Sequence, residues 1–212
     1  TVCVGLRKLS DASRGVAVEL SSSISNPGSF VIEAPSSNGA STYRFGSTGS
    51  NVVVLTTGSD YAAPISNVLC GIGDISGDIC ALRVNGQEVG NNNSDQGTGN
   101  YGSHRIYVGA RAESSLFFNG IIYQMTIINR LLTEWEQKRI ENFSAYKTGL
   151  SNPFTLEPKY IPASQTNPGF DALGNPLTHP AVVGINAAET EVNYSPVDNS
   201  WPEQYSIPGA DL

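Results

Sequence analysis

Short runs in which apolar residues occupy every second position recur through the first two-thirds of the sequence. Residues 2–6 and 16–20 show the pattern, and the runs 29–32, 42–45 and 51–55 follow, separated by Gly, Ser, Asn or Pro. A period of two predicts strands that bury one face, because successive side chains of a strand point to opposite sides. Together with the turn-forming residues between the runs, it predicts a meander of half-buried strands.

The clearest local signal is the Asn85-Gly86 pair between the apolar run 79–84 and residues 87–89. Asn-Gly supplies the two positive φ values that a type I′ turn requires, so this stretch predicts a two-residue β-hairpin. Further strands are predicted at 105–109 and at 116–128, the second interrupted by a tight turn at Asn119-Gly120.

One helix is predicted after these strands. Thr133 and Glu136 have capping-box spacing, and Gly149 provides a left-handed stop. One helix face is shared by Ile140, Phe143 and either Tyr146 or Lys147. We expect this single helix to pack on the edge of the sheets.

Composition supports an all-β domain and excludes several partners. Apolar residues make up 39% and charged residues 15%, with 22 Gly and 12 Pro, which is typical of many short strands joined by turns. The net charge of −7 argues against nucleic acid as a partner, because such binding needs clustered Lys and Arg. The sequence contains no run of roughly 18 apolar residues, so no membrane insertion is expected.

The three cysteines, Cys3, Cys70 and Cys80, lie among apolar neighbours and form no CxxC pair. We expect buried reduced thiols, in preference to a disulfide or a metal site. His104 and His179 are the only histidines, so a zinc site would need an unusual ligand set.

Charge and proline divide the chain near Gly149, which predicts a domain at 1–149 and an acidic, Pro-rich arm at 150–212. The arm has nine of the 12 prolines, and Lys159 is its sole basic residue. Neither a continuous helix nor a central strand survives that proline density. Aromatic residues nevertheless recur along it, including Tyr160, Phe170, Tyr194, Trp201 and Tyr205. We expect them to form assembly contacts with the chain's own domain or a neighbouring subunit, in preference to a flexible tail or a compact second domain.

A set of short motifs recurs in a fixed order along the first two-thirds of the chain. They are Asp74-Ile-Ser-Gly-Asp78, Leu82-Arg-Val-Asn-Gly86, Asp95-Gln-Gly-Thr-Gly-Asn100, Ile106-Tyr-Val-Gly109, Phe118-Asn-Gly120 and Lys147-Thr-Gly149, with Gly5-Leu-Arg-Lys-Leu-Ser-Asp11, Asn26-Pro-Gly-Ser-Phe30 and Ala63-Pro-Ile65 upstream. Together they resemble the laminin-G / concanavalin A-like domains of phage and prophage structural proteins. The resemblance covers residues 1–149. The loop 109–114 departs from it, because a more Gly-rich loop is usual there.

The resemblance implies a two-sheet antiparallel β-sandwich, a concanavalin A-like jelly roll of about a dozen strands, whose usual work is binding. It implies a virion structural or decoration protein that contacts other virion proteins on capsid or tail as a homo-oligomer or symmetric array. Assembly in the host cytoplasm fits the expected reduced cysteines. In this interpretation the protein also binds glycans weakly. The alternative is a receptor-binding adhesin for host surface glycans, and a polysaccharide depolymerase is the third hypothesis.

Enzymatic chemistry is not expected. A glycosidase of this fold needs two carboxylates across a cleft, and the strands show no such acidic array. Glu134, Glu136 and Glu141 fall on the predicted helix, where they are interpreted as capping and helix-dipole residues. Glu189 and Glu191 alternate in the arm without a third partner, and no G-x-S-x-G elbow occurs.

Two binding hypotheses remain for the loops. Asp74, Asp78 and Asp95 offer hard oxygen donors for calcium, although turn chemistry explains the same residues and is preferred. Asp95, Asn100 and Tyr101 are the candidate glycan-binding residues, with Tyr101 for stacking. The competing interpretation is that Tyr101 covers the end of the sandwich.

Overall fold

The computed structural model describes residues 1–151 and 153. Within them it has ten strands and one helix. The strands are β1 (Val2–Lys8), β2 (Val16–Leu20), β3 (Ser29–Glu33), β4 (Arg44–Thr48), β5 (Val52–Thr56), β6 (Ile65–Asp74), β7 (Ile79–Val84), β8 (Gln87–Asn92), β9 (Ile106–Val108) and β10 (Gly120–Ile127), and the helix is α1 (Glu134–Thr148).

The strands form two five-stranded antiparallel sheets. Sheet A has the order β10-β1-β6-β7-β8, and sheet B has the order β5-β4-β3-β2-β9. The predicted two-sheet sandwich with one short helix is confirmed, with ten strands in the described residues where the resemblance implied about a dozen.

Alternate residues of both sheets build the core between them. Sheet A contributes residues such as Val4, Leu6 and Leu82, and sheet B contributes Ile32 and Phe45, all of them buried. The predicted period of two therefore has its expected cause, since one face of each strand packs on the other sheet.

β6 is the strand that sequence periodicity did not predict. It lies between β1 and β7, and Val68, Leu69 and Cys70 are consecutively buried. Leu69 faces the core between the sheets, whereas Val68 and Cys70 face the helix. A strand covered on both sides has no polar face, so its sequence shows a continuous apolar run instead of alternation.

The predicted Asn-Gly hairpin is confirmed. Asn85 and Gly86 have φ values of 47° and 82° and connect β7 to β8. The side chain of Asn85 also accepts a hydrogen bond from the backbone N–H of Val68 at 2.8 Å, which ties the turn to the neighbouring strand.

The expectation of three reduced thiols is wrong. Cys3 and Cys70 form a disulfide, and Cys80 alone is a free, buried thiol among the described cysteines. The cause is register: Cys3 of β1 and Cys70 of β6 are directly opposite each other in the antiparallel pair, with Cα atoms 4.1 Å apart. Sequence spacing gives no hint of this pairing, because the two residues are 67 positions apart.

Both predicted caps of α1 are present. Thr133 and Glu136 form the capping box, and Gly149 has the left-handed φ of 73°. Hydrogen bonds from Arg130 and Thr133 lower the pKa of Glu136 to about 2, so this carboxylate stays charged at the positive end of the helix.

The predicted edge location of α1 is wrong, and of its predicted apolar face Ile140 packs inward while Phe143 and Tyr146 do not. The helix lies on the outer face of sheet A, against β1, β6 and β10, and not on the sandwich edge. Its buried residues include Glu141, Ser144 and Ala145, whereas Phe143 and Tyr146 are 50% and 72% exposed. Polar side chains can face the sheet because they are paired: Arg83 donates to Glu141 at 2.8 Å, and Ser144 donates to Gln124 at 2.8 Å. Glu141 is thus a buried ion-pair partner, not a capping residue.

The predicted arm contacts at Tyr160, Phe170, Tyr194, Trp201 and Tyr205 lie outside the described residues, and the domain boundary at 149 stays a prediction. Among residues 1–151, no helix has the length and apolar character needed to cross a bilayer.

Candidate functional site

An opening with both polar and apolar lining residues lies between the two sheets, and we call it the end cleft. Its volume is about 550 Å³. Val2 and Ile127 of sheet A and Phe30, Phe45 and Ile106 of sheet B line its apolar walls. The polar lining comes from Asp74, Ser76, Asn100, Tyr101, Ser103, Asn129 and Arg130. A cleft with apolar walls and a few polar groups suits a small organic ligand that bears hydroxyl groups.

Tyr101 forms part of the cleft wall and is held rigidly. Its ring packs edge-on against Phe30 with centroids 5.9 Å apart, and its hydroxyl shares a hydrogen bond with Ser47 at 2.6 Å. Gly73 makes room for it, because a Cβ at that position would lie 1.9 Å from the Tyr101 hydroxyl oxygen. Burial raises the pKa of Tyr101 to about 12, so the hydroxyl is neutral near pH 7. The ring covers the sandwich end, as the competing interpretation held, and does not form an open stacking platform.

Gln96 fixes the loop that carries the predicted residues, and sequence reasoning missed it. Its amide nitrogen donates to the carbonyl oxygens of Asp74 and Ile79 at 3.0 Å each, and its Oε1 accepts from Ser47 at 2.5 Å. The side chain is fully buried. A glutamine within a polar, Gly-rich stretch carries no sequence signal for such a role, since the same composition is typical of an exposed loop.

Asn100 lies at the exposed mouth of the end cleft. Its Oδ1 accepts a hydrogen bond from the Tyr101 N–H at 2.9 Å. Gly102 donates its N–H to the carbonyl oxygen of Gly28 at 2.9 Å, which fastens the segment to the loop before β3. The Asn100 side chain is therefore held by its own loop, which is anchored to the neighbouring loop through Gly102.

The structure separates the three proposed glycan-binding residues. Asn100 and Tyr101 line the end cleft together with Asp74, but Asp95 is not among the lining residues. Asp95 is exposed and accepts the Gly97 N–H at 2.6 Å, so it stabilises its own turn.

The calcium hypothesis for Asp74, Asp78 and Asp95 is not supported. In the described part of the chain, no group of three or more His, Cys, Asp or Glu residues could hold a metal ion. Instead, Asp74 accepts from the Ser76 hydroxyl at 2.9 Å, and Asp78 accepts from the Gln96 N–H at 2.9 Å. Turn and loop hydrogen bonds explain these carboxylates.

A second cluster of charged residues, which we call the guanidinium cluster, lies on sheet B. It comprises Arg14, Glu19, Glu33, Arg44 and Arg111. Glu19 and Glu33 are fully buried. Arg111 donates to Glu19 at 2.7 Å and lies 3.5 Å from Glu33. Arg14 and Arg44 also pair with Glu33, the latter at 2.8 Å. Three cations therefore share two buried anions, which leaves one positive charge in excess.

The signal for this cluster was present in the sequence but incomplete. Glu19 lies within the apolar strand β2, and Glu33 is the last residue of β3, which places a carboxylate on each of two strands expected to be half-buried. Their partners Arg14, Arg44 and Arg111 come from separate parts of the chain, so only the fold brings them together.

Comparison with known proteins agrees with this architecture. A laminin-G family model, described as the concanavalin A-like lectin/glucanases superfamily, matches residues 6–136. The carbohydrate-binding module CBM40 of the Ruminococcus gnavus IT-sialidase, bound to α2,3-sialyllactose, is 14% identical with a TM-score of 0.50, covering 64% of this chain and 78% of that one.

A heptameric SAP-like pentraxin from Limulus polyphemus is 12% identical with a TM-score of 0.52, covering 73% of this chain and 74% of that one. Comparison with curated proteins finds no match. At such identities, the likeness to solved structures shows the shared fold alone.

Proposed function

Since this chain belongs to the concanavalin A-like lectin/glucanases superfamily, we propose that it is a non-catalytic carbohydrate-binding protein whose sugar occupies the end cleft. The observation that carries the proposal is the fixed lining of that cleft, where Asp74, Asn100 and Tyr101 surround an opening of about 550 Å³. Carboxylate, amide and phenol groups supply the donors and acceptors that sugar hydroxyls need, while Phe30 and Ile106 contact the apolar face of a sugar ring.

Preorganisation supports the same proposal. Gln96 and Ser47 hold the loop and Tyr101 through an unbroken series of hydrogen bonds. A ligand therefore meets groups that are already ordered, which lowers the entropic cost of binding. The sialidase CBM40, a binding module in its own protein, has the same fold and is seen with a sialylated sugar.

The lining of the end cleft favours binding over hydrolysis. Asp74 is the sole carboxylate among the described residues that line it. Glycoside hydrolysis ordinarily requires two carboxyl groups on opposite sides of the scissile bond. We therefore propose that the protein is not an enzyme, and we expect no release of reducing ends when it is incubated with host polysaccharide.

A glycan array probed with the full chain tests the binding proposal. We expect selective binding that Asn100→Ala weakens about tenfold, the effect of losing one or two hydrogen bonds. Asn93→Ala is the matched control, because Asn93 is exposed and does not line the end cleft. Absence of selective binding, or equal binding by both variants, would contradict the proposal.

We also propose a virion setting, in which the chain is assembled in the host cytoplasm and contacts other virion proteins or further copies of itself on capsid or tail. Large apolar side chains that are exposed on α1 and on the edge strands support it, among them Phe143, Tyr146, Met125 and Val108. Apolar exposure of this kind marks surfaces for protein contacts. The Cys3–Cys70 disulfide removes reduced thiols from the arguments for cytoplasmic assembly.

Locating the chain in a density map of purified virions tests this setting. Density for the sandwich on the outside of a head or tail is the expected result, and its absence from virions would refute it. The receptor-binding adhesin is the alternative within the same setting. Selective capture of host cells through the end cleft, lost in the Asn100→Ala variant, would favour the adhesin over a decoration protein.

A further inference from the structure

A second opening lies at the other end of β1 and β10, and we call it the Phe117 groove. Its volume is about 680 Å³, and its lining includes Leu9, Arg14, Asn38, Phe117 and Asn119. It shares no lining residue with the end cleft. Because Leu9 follows the last residue of β1 and Val2 begins it, about seven residues or roughly 20 Å of strand separate the two openings.

Phe117 is an exposed aromatic side chain on a fixed backbone. It is 63% exposed, whereas the next residue, Phe118, packs against the core. The Val16 N–H donates to the Leu116 carbonyl at 2.8 Å. Gly15 allows the close approach, because a Cβ there would lie 2.9 Å from the Cα of Phe118. The segment therefore presents Phe117 to solvent at a defined position, and an aromatic face so held can stack on an apolar face of a ligand.

Arg14 gives the groove a positive charge that the cluster behind it does not neutralise. It pairs with Glu33, but Arg44 and Arg111 lie against the same carboxylate. Arg14 is the most exposed of the three guanidinium groups, at 27%, and it alone lines the groove. Its buried Nε has no hydrogen-bond partner among the described residues. In a chain whose net charge is −7, this local excess of positive charge can attract an anion.

Asn38 completes the polar side of the groove. Its Oδ1 accepts the backbone N–H of Arg14 at 2.8 Å, which fixes the backbone that carries the guanidinium. The amide NH₂ of Asn38 and the side chain of Asn119 add hydroxyl-binding groups on the same opening.

We propose that the Phe117 groove is a second carbohydrate subsite, which binds a sugar bearing a carboxylate. Phe117 stacks on the sugar ring, and the exposed part of the Arg14 guanidinium pairs with the carboxylate through one charge-assisted hydrogen bond. The inference rests on the proposed carbohydrate-binding function but concerns a different opening, so each can fail without the other.

A matched pair of ligands tests the charge. The full chain, labelled with ¹⁵N, is titrated with methyl β-D-glucuronide and with methyl β-D-glucoside, which differ only in the carboxylate at C6. We expect the glucuronide to shift the amide signals of residues 13–15, 38 and 116–119, and to bind about tenfold more tightly than the glucoside, as one charge-assisted hydrogen bond would give. Added salt should weaken the binding of the glucuronide but not that of the glucoside.

Two variants and two controls test the residues. Phe117→Ala and Arg14→Gln should each reduce glucuronide affinity about tenfold. Phe143→Ala and Arg139→Gln, which remove an exposed aromatic ring and a positive charge from α1, should leave affinity unchanged. Arg14→Gln leaves Glu33 paired with Arg44 and Arg111, and the amide spectrum of each variant reports whether the fold is kept.

The outcomes separate the two proposals. Shifts confined to residues 100–103 would place the sugar in the end cleft and overturn the Phe117 groove while supporting the proposed function. Three further results would overturn the Phe117 groove. They are equal affinity for the two glycosides, no binding of the glucuronide at about 10 mM, and glucuronide binding that Phe117→Ala leaves unchanged. If Asn100→Ala abolished glucuronide binding while Phe117→Ala and Arg14→Gln did not, the sugar would bind in the end cleft and the Phe117 groove would be refuted.

Discussion

Lys8 shows how a single charged residue can be placed inside a β-sandwich. Lys8 is fully buried. Its ammonium nitrogen lies 2.5 Å from Oδ1 of Asp11 and 4.9 Å from the centroid of the Tyr43 ring. Asp11 also accepts the Ala63 N–H at 2.8 Å and the Ser41 hydroxyl at 3.2 Å. One carboxylate therefore joins β1 to two loops, which gives a structural reason for the motif at residues 5–11.

Replacing Asp11 by Asn should destabilise the fold strongly. The substitution leaves the Lys8 charge buried without an anion, so we expect the free energy of unfolding to fall by about 3 kcal/mol, the lower end for a broken buried pair because Asp11 is partly exposed. Urea unfolding of the full chain measures it. Asp60→Asn, at an exposed aspartate, is the control and should change little. Equal stabilities of the two variants would show that Lys8 does not depend on Asp11.

The same carboxylate predicts a pH dependence. Burial acts to raise the pKa of Asp11, but hydrogen bonds from Lys8, Ala63 and Ser41 outweigh it, so the pKa is lowered. A lowered carboxyl pKa contributes stability above the unfolded value of about 4, and this stability is lost as the pH falls through the folded value. Between about pH 5 and about pH 2, the native protein should therefore lose more stability than Asp11→Asn. Parallel stability curves would contradict this.

At the scale of elements, the disulfide joins two neighbouring strands of sheet A. Cys3 and Cys70 close a loop with a sequence separation of 67, and a constraint of that length on the unfolded chain contributes about 4 kcal/mol. We expect urea unfolding under a thiol reductant to show a loss of this order. Thiol titration of the denatured protein should find one free thiol before reduction and three after it. Three thiols in the oxidised protein would refute the pairing.

The approach of α1 to sheet A depends on a glycine. A Cβ at Gly5 would lie 2.1 Å from the Thr148 hydroxyl oxygen and 3.1 Å from the Ser144 carbonyl oxygen. Gly5→Ala should therefore force the helix outward and cost about 2 kcal/mol, as overpacking does.

Thr148→Ala removes the nearest of these atoms and provides the partner for a double-mutant cycle. In the double variant, the cost of Gly5→Ala should be smaller than in the native background, with a coupling of about 1 kcal/mol measured by urea unfolding. Additive effects would show that the helix does not rest on Gly5 as the structure places it.

At the scale of the whole molecule, the described part of the chain forms its own apolar core. The buried apolar residues of that core lie from Val2 to Ala145. Leu150 packs against the small cluster around Cys3 and Cys70, so a fragment should extend slightly beyond the predicted boundary at 149.

We expect a fragment of residues 1–153 to unfold in one cooperative transition. The midpoint temperature of this transition should lie within a few degrees of that of the sandwich in the full chain. A difference of a few degrees corresponds to a change of about 1 kcal/mol in the free energy of unfolding for a domain of this size. Calorimetry of the fragment and the full chain measures both. A non-cooperative fragment would refute the predicted domain division.

The sequence by itself determined the local structure. The period of two in β1 and β2, the positive φ values of Asn85 and Gly86, and both caps of α1 follow from residues close to one another in the chain, so local stereochemistry is enough to predict them. The role of Asn100 and Tyr101 in glycan binding stays a prediction.

Only the tertiary structure decided which distant groups meet. Strand register placed Cys3 opposite Cys70, packing on both sides hid β6 from periodicity analysis, and paired polar groups turned the face of α1 that carries Phe143 and Tyr146 outward. Gln96, the guanidinium cluster and the Phe117 groove depend on side chains from strands and loops far apart in sequence. Long-range pairing of this kind leaves no local trace of the partner, because neither residue taken alone indicates which distant group it meets.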